Sequence, residues 1–255
     1  MPPPYNPIHW REFTASPYKV QGPVGESPAV WAEKYGLAGI PNAHALPRHI
    51  LDRTAVQQIC RDPTTNVLFG YVCAMAWGGQ GTELGGPSHV ASAWAANAIV
   101  ASHLTALRSG GITRCQAYNL FLGGAGKVQG LGPSFFTKLL YFFSPTDDFY
   151  IMDQWTGKAV DLLTGCSVVR IAGNAPAGWN KCGNYQAYCE EVDQIATLLS
   201  VAGIVAEEML FSKGNPNPWR WRVHVRANWP ARGIAGRYSR NLMHTNYPHI
   251  PAAFF

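Results

Sequence analysis

From residue 64 to residue 214 the chain is a series of apolar runs of helical length, most of them closed by glycine. The run TTNVLFGYVCAMAWGG ends at Gly78-Gly79, TRCQAYNLFLGG at Gly123-Gly124, and WTGKAVDLLTG at Gly165. Glycine after a periodic apolar stretch is a helix stop, because it adopts the left-handed conformation that ends a helix without steric cost. This punctuation leaves room for only short connections, so it predicts a mainly α-helical domain. Ala74, Met75 and Ala76 favour helix over strand in the first run. GPSHVASAWAANAIVASHLTALRSGG predicts one long helix, with Pro87 and Ser88 at its start, Arg108 in its last turn and Gly110-Gly111 beyond it. GNYQAYCEEVDQIATLLSVAG predicts a long amphipathic helix and IVAEEMLFSKG a short one. Seven or eight helices are expected in a single domain spanning residues 1–255, with 47% hydrophobic residues to fill its core.

The two ends read differently. Residues 1–47 are rich in proline and glycine and predict irregular, wrapping chain, with helical spacing beginning near Arg48. In WRWRVHVR, Trp219, Trp221, Val223 and Val225 alternate with Arg220, Arg222, His224 and Arg226. That pattern predicts a strand with its arginines on one face, and a small β element formed by the two termini.

Charge is also uneven. The net charge is +5, yet residues 214–255 hold six arginines and no acid, while the other 213 residues carry 14 basic and 15 acidic side chains. A basic segment of this kind points to a polyanionic partner or to a solvated tail. The six cysteines, Cys60, Cys73, Cys115, Cys166, Cys182 and Cys189, form no CxxC and read as buried free thiols. The Cys182–Cys189 spacing lacks the further ligands of an iron–sulfur loop. No apolar run reaches membrane-spanning length, and MPPPYNPIHW does not have the pattern of a signal peptide. HExxH and GxSxG are absent.

The chemistry concentrates in VQGLGPSFFTKLLYFFSPTDDFYIMDQWTGKAV, residues 128–160. Gly130 and Gly132 bracket Leu131 in a tight turn within residues 126–134, and Pro133 suits the first position of the helix that follows. Bare amides beside a helix N-terminus form a site for one phosphate, although an ordinary helix connection would look the same. Asp153 follows 21 residues after Gly132, where it caps the next helix or performs chemistry, or both.

Together the Gly130-Leu131-Gly132 turn, the apolar helix and Asp153 in YIMDQWTGKAV resemble the helix-hairpin-helix superfamily of DNA glycosylases, in a bacterial branch similar to 8-oxoguanine glycosylases. The likeness is specific over about residues 113–165 and looser through IVAEEMLF. It implies two helical lobes around a DNA cleft and a monomer acting on double-stranded DNA in the bacterial cytoplasm. Asp153 would then stabilise the positive charge that develops on deoxyribose as the glycosidic bond breaks. Where bifunctional relatives carry a lysine nucleophile this chain has Ser134, which implies monofunctional hydrolysis by water. Lys138, one turn on, is a phosphate contact, a surface residue or a substitute nucleophile.

The resemblance also implies DNA contacts at Lys127, Gln129, Gly130, Gly132, Ser134 and Lys138, joined by Arg220, Arg222 and Arg226 from the basic segment. It implies a monovalent cation on the carbonyls of Val128 and Leu131, with no organic cofactor, zinc or iron–sulfur cluster. A flipped nucleotide needs an aromatic pocket; Trp77, Gln80, Gln154 and Trp155 are candidates for it. The excised base is either an 8-oxoguanine-type lesion or a hypermodified cytosine, such as a glucosylated hydroxymethylcytosine in phage DNA, the second implying antiviral defence rather than repair. A non-catalytic nucleic-acid-binding module and a scaffold in which the glycines are only a turn remain open.

Overall fold

The computed structural model describes residues 4–82, 85–212 and 220–229. Among them are twelve α-helices and one two-stranded hairpin: α1 (Pro7–Ala15), α2 (Pro28–Lys34), α3 (Arg53–Arg61), α4 (Val67–Gly78), α5 (Gly86–Ala95), α6 (Asn97–Ser109), α7 (Arg114–Leu122), α8 (Pro133–Phe143), α9 (Gln154–Thr164), β1 (Ile171–Ala172), β2 (Ala175–Pro176), α10 (Cys182–Leu199), α11 (Gly203–Phe211) and α12 (Arg220–Asn228). The mainly helical expectation holds.

The helices assemble in two groups. In the first, α4 packs on α2, α3, α6 and α8. Residues Gly70 to Trp77 of α4 are all buried, as befits a helix apolar on every side. In the second, α10 packs on α7, α9 and α11, while α9 also receives α1 and α12. α8 contacts α7 as well as α3 and α4, and the core runs unbroken between the groups. Phe136, Phe142 and Phe143 of α8 are fully buried. Each such side chain contributes on the order of 1.5–3 kcal/mol relative to exposure.

Several expectations change. The N-terminal 47 residues contain two helices: Asn6 caps α1 through the amides of Ile8 and His9, and Trp31 of α2 is buried and donates its indole N–H to the Gln80 carbonyl at 2.9 Å. Helix α3 begins at Arg53 rather than near Arg48, with Asp52 as its cap. The long helix expected over residues 87–109 is two, bent by 76° around Ala96. The bend lets Val90 and Ala93 of α5 and Val100, Leu104 and Leu107 of α6 all reach the core.

WRWRVHVR is helical from Arg220 onward, whereas Trp219 lies outside the described residues. Trp221 and Val225, one turn apart, are buried, Trp221 meeting Phe13 of α1 at 5.0 Å between ring centroids, and Val223 is half exposed. A strand would need a partner for its backbone groups, whereas a helix satisfies its own. Among the described residues the small β element lies inside the chain, with Ile171 opposite Pro176. Cys115 and Cys182 form a disulfide that joins α7 to α10, while Cys60, Cys73 and Cys189 are buried free thiols and Cys166 is half-buried. Among the described residues no single helix is long and apolar enough to cross a membrane.

Candidate active site

The glycine turn between α7 and α8 is built for two different reasons. Gly130 has φ +83°, and a β-carbon there would stand 2.1 Å from the His89 carbonyl oxygen, so packing alone demands glycine. Gly132, the N-cap of α8, has φ −76°, and a β-carbon there would meet nothing within 4 Å. Nothing inside the protein requires glycine at 132. Gln80 buttresses the turn from behind: fully buried, it donates Nε2 to the Gly130 carbonyl at 3.2 Å and accepts the Tyr71 hydroxyl at 3.3 Å. Val128 and Leu131 are buried, and Lys127 and Gln129 are exposed. The Val128 carbonyl accepts the Leu131 amide at 3.3 Å, so a cation there would share that oxygen.

The segment FYIMD leading to Asp153 is tied down at successive residues. The Tyr185 hydroxyl accepts the Tyr150 amide and donates to its carbonyl, and the Tyr188 hydroxyl donates to the Ile151 carbonyl at 2.7 Å. Thr137 of α8 accepts the Met152 amide at 3.1 Å. Asp153 then caps α9. Its Oδ1 accepts the amides of Trp155 at 2.6 Å and Thr156 at 2.9 Å, and Thr156 Oγ1 accepts the Asp153 amide in return. Among the described residues Oδ2 has no hydrogen-bond partner. One oxygen is thus fixed by the helix terminus and the other left available.

Asp153 lines a cavity of about 230 Å³ where the two helix groups meet. Its walls include Trp77 and Gly78 from the end of α4, Arg53 from the start of α3, Lys138 from α8, and Glu207 and Phe211 from α11. Gln21 and Gly25 close it from the N-terminal segment. Lys138 donates to the Ser134 carbonyl at 3.0 Å, which draws it along α8, and its amine lies 4.8 Å from the Phe135 ring centroid. Glu207 and Arg53 form a buried ion pair on this wall.

Beside Asp153 the indole of Trp155 gathers three cations. Arg222 lies 4.5 Å, Lys158 5.1 Å and Arg226 5.6 Å from its ring centroid. Arg222 is buried and donates to the Phe211 carbonyl; burial lowers its guanidinium to about 10, partly offset by attraction to Asp153. Burial likewise lowers Lys158. Arg220 points elsewhere and pairs with Glu12 of α1. In a helix, positions 222 and 226 share a face and 220 does not, so the common arginine face expected of a strand does not form.

Trp77, Lys138 and Asp153 therefore meet at one cavity. Trp155 adjoins Asp153 within the arginine cluster, Gln154 accepts the Lys158 amine at 3.2 Å, and Gln80 serves the turn rather than the cavity wall. Sequence reasoning missed Gln21, Arg53 and Glu207. The carboxylates of IVAEEMLF, isolated in an apolar helix, were the one signal available for Glu207; nothing marked the other two.

The site thus combines a glycine turn opening a helix, a carboxylate fixed on one oxygen, a cavity of limited size, and cations alongside. Comparison with known families identifies the group: the model of the family described as "Putative 8-oxoguanine DNA glycosylase OGG-like protein" matches residues 4–211, and the chain belongs to that family. No curated protein and no solved structure matches the chain.

Proposed function

We propose that this protein is a monofunctional DNA glycosylase that flips a damaged or modified nucleotide out of double-stranded DNA, hydrolyses its glycosidic bond and leaves an abasic site. The observation that carries this reading is Asp153 on the cavity wall, with Oδ1 engaged by two amides and, among the described residues, no hydrogen bond to Oδ2. As the bond from C1′ to the base stretches, positive charge spreads over the sugar. A carboxylate held in place without solvent reorganisation stabilises that state and orients the attacking water. The glycine turn receives a phosphate at the open face of Gly132, with the Ser134 amide behind it in the first turn of α8. Arg222, Arg226 and Lys158 attract neighbouring phosphates without reading sequence. A monovalent cation on the Val128 and Leu131 carbonyls would add to the phosphate site.

The base belongs to one of two classes, an 8-oxoguanine-type lesion or a hypermodified cytosine of phage DNA, and the second would make the protein an antiviral enzyme. Mass spectrometry of bases released from DNAs carrying each modification distinguishes them. The reading itself is tested by Asp153→Asn. This variant keeps the cap but removes the charge, so base release should fall at least about 100-fold with DNA affinity little changed. Turnover equal to that of the unaltered protein would remove Asp153 from the mechanism.

A further inference from the structure

Building on that reading of the cavity, we propose that Glu207 is its second catalytic group, the acid that hands a proton to the departing base. Glu207 lies in the middle of α11 with 1% of its surface exposed, and it lines the same cavity as Asp153. Two carboxylates therefore reach one small space from different elements, and their settings differ. Asp153 sits at a helix N-terminus and accepts two amides, a setting for negative charge. Glu207 lies inside α11 and, among the described residues, accepts no backbone amide. Its hydrogen-bond partner is Arg53, itself buried and held 4.1 Å over the Tyr141 ring. Where two acids in one site have environments that differ in this way, the roles of anion and proton donor divide between them.

The charged and titratable groups around Glu207 are Arg53 at the start of α3, Tyr141 of α8, Asp153 ahead of α9, Tyr188 of α10, its neighbour Glu208, and Tyr18 of the N-terminal segment. Burial raises the Glu207 carboxyl to about 7 against the pull of Arg53, and Asp153 and Glu208 add to the rise. A proton donor with that value is loaded below neutrality and spent above it.

The step balances. The bond between C1′ and the base nitrogen breaks with its electron pair passing to the base, and the Glu207 proton moves onto the base. Water bonds to C1′ and loses a proton that returns to the Glu207 carboxylate. Base and abasic sugar leave, and one water is consumed. The competing role for Glu207 is that of a counter-ion, which joins α3 to α11 through Arg53 and does nothing else.

The experiment is single-turnover base release from two duplexes. One carries 8-oxoguanine. The other carries 7-methylguanine, which is already cationic and departs as a neutral base without a donated proton. On the first, Glu207→Gln should slow release by roughly 100-fold or more. The decline in rate of the unaltered protein as pH rises through about 7 should flatten in the variant. On the second, the loss should stay within about 5-fold, the range left once proton donation, worth roughly 100-fold, is not needed. Because Glu207→Gln leaves Arg53 buried and unpaired, the double variant Arg53→Met/Glu207→Gln is measured beside it and should lose 8-oxoguanine activity in the same way while remaining folded. Equal losses on both duplexes, or an unaltered alkaline decline in Glu207→Gln, would reduce Glu207 to the counter-ion. Release that persists in Glu207→Gln but is lost in Asp153→Asn overturns this inference alone. No release from either duplex by the unaltered protein overturns it together with the glycosylase reading for these bases.

Discussion

The hydroxyl of Thr137 accepts the amide of Met152 at 3.1 Å and donates to the Pro133 carbonyl at 2.7 Å. One fully buried side chain thus links the first turn of α8, where the glycine turn ends, to the residue before Asp153. The glycine turn and the carboxylate are set relative to each other through this contact.

Thr137→Val keeps the shape of the side chain and leaves the Met152 amide buried without a partner. The expected cost is about 1–3 kcal/mol in thermal or denaturant unfolding. Base release should fall more than DNA affinity, because the displaced group is the carboxylate and not the cations. A variant with lowered stability and unchanged release per folded molecule would show that Asp153 is positioned by its cap alone.

The two turn glycines should separate cleanly. Gly130→Ala places a methyl group against the His89 carbonyl at positive φ, and unfolding should show a loss on the order of 2 kcal/mol. Gly132→Ala meets no protein atom, so stability should stay within about 0.5 kcal/mol while DNA affinity drops several-fold. Full affinity in Gly132→Ala would mean that no phosphate approaches the turn.

Among the arginines, Arg226 and Arg220 make the informative pair, since both are exposed and, among the described residues, only Arg220 has an acidic partner, Glu12. Arg226→Ala should weaken binding to unrelated duplexes alike and reduce the slope of log affinity against log salt by about 1. Arg220→Ala should leave the slope where it was. The reverse result would move the DNA path from the Trp155 cluster to the face of α1.

Ser134 cannot form a Schiff base, so released base should be accompanied by intact strands until alkali is added. Borohydride should trap no covalent adduct. Lys138 is the one lysine lining the cavity among the described residues, and Lys138→Gln is the control. Cleavage without alkali, with an adduct lost in that variant, would make Lys138 the nucleophile.

Local signals carried much of this protein into view. Glycines at 79, 123 and 165 cap helices where the sequence implied, because helix termination is decided within a few residues. The order of turn, apolar helix and capping aspartate is likewise written in a single stretch. Local pattern failed where two conformations share one pattern. Alternation in WRWRVHVR fits a strand, yet Trp221 and Val225 also fall one helical turn apart, and burial against Phe13 of α1, 208 residues away from Trp221, chose the helix.

By itself, then, the sequence determined a helical chain, its breaks, and the spacing that sets Asp153 after Gly132. Tertiary structure decided the bend at Ala96, the pairing of Cys115 with Cys182 across 67 residues, and the joining of Arg53, 154 residues distant in sequence, to Glu207 on the wall that holds Asp153. Helices and caps answer to neighbours within one or two turns, which a sequence displays. A cavity is a coincidence of side chains from separate elements, and its membership is fixed only when the apolar faces of those elements have packed.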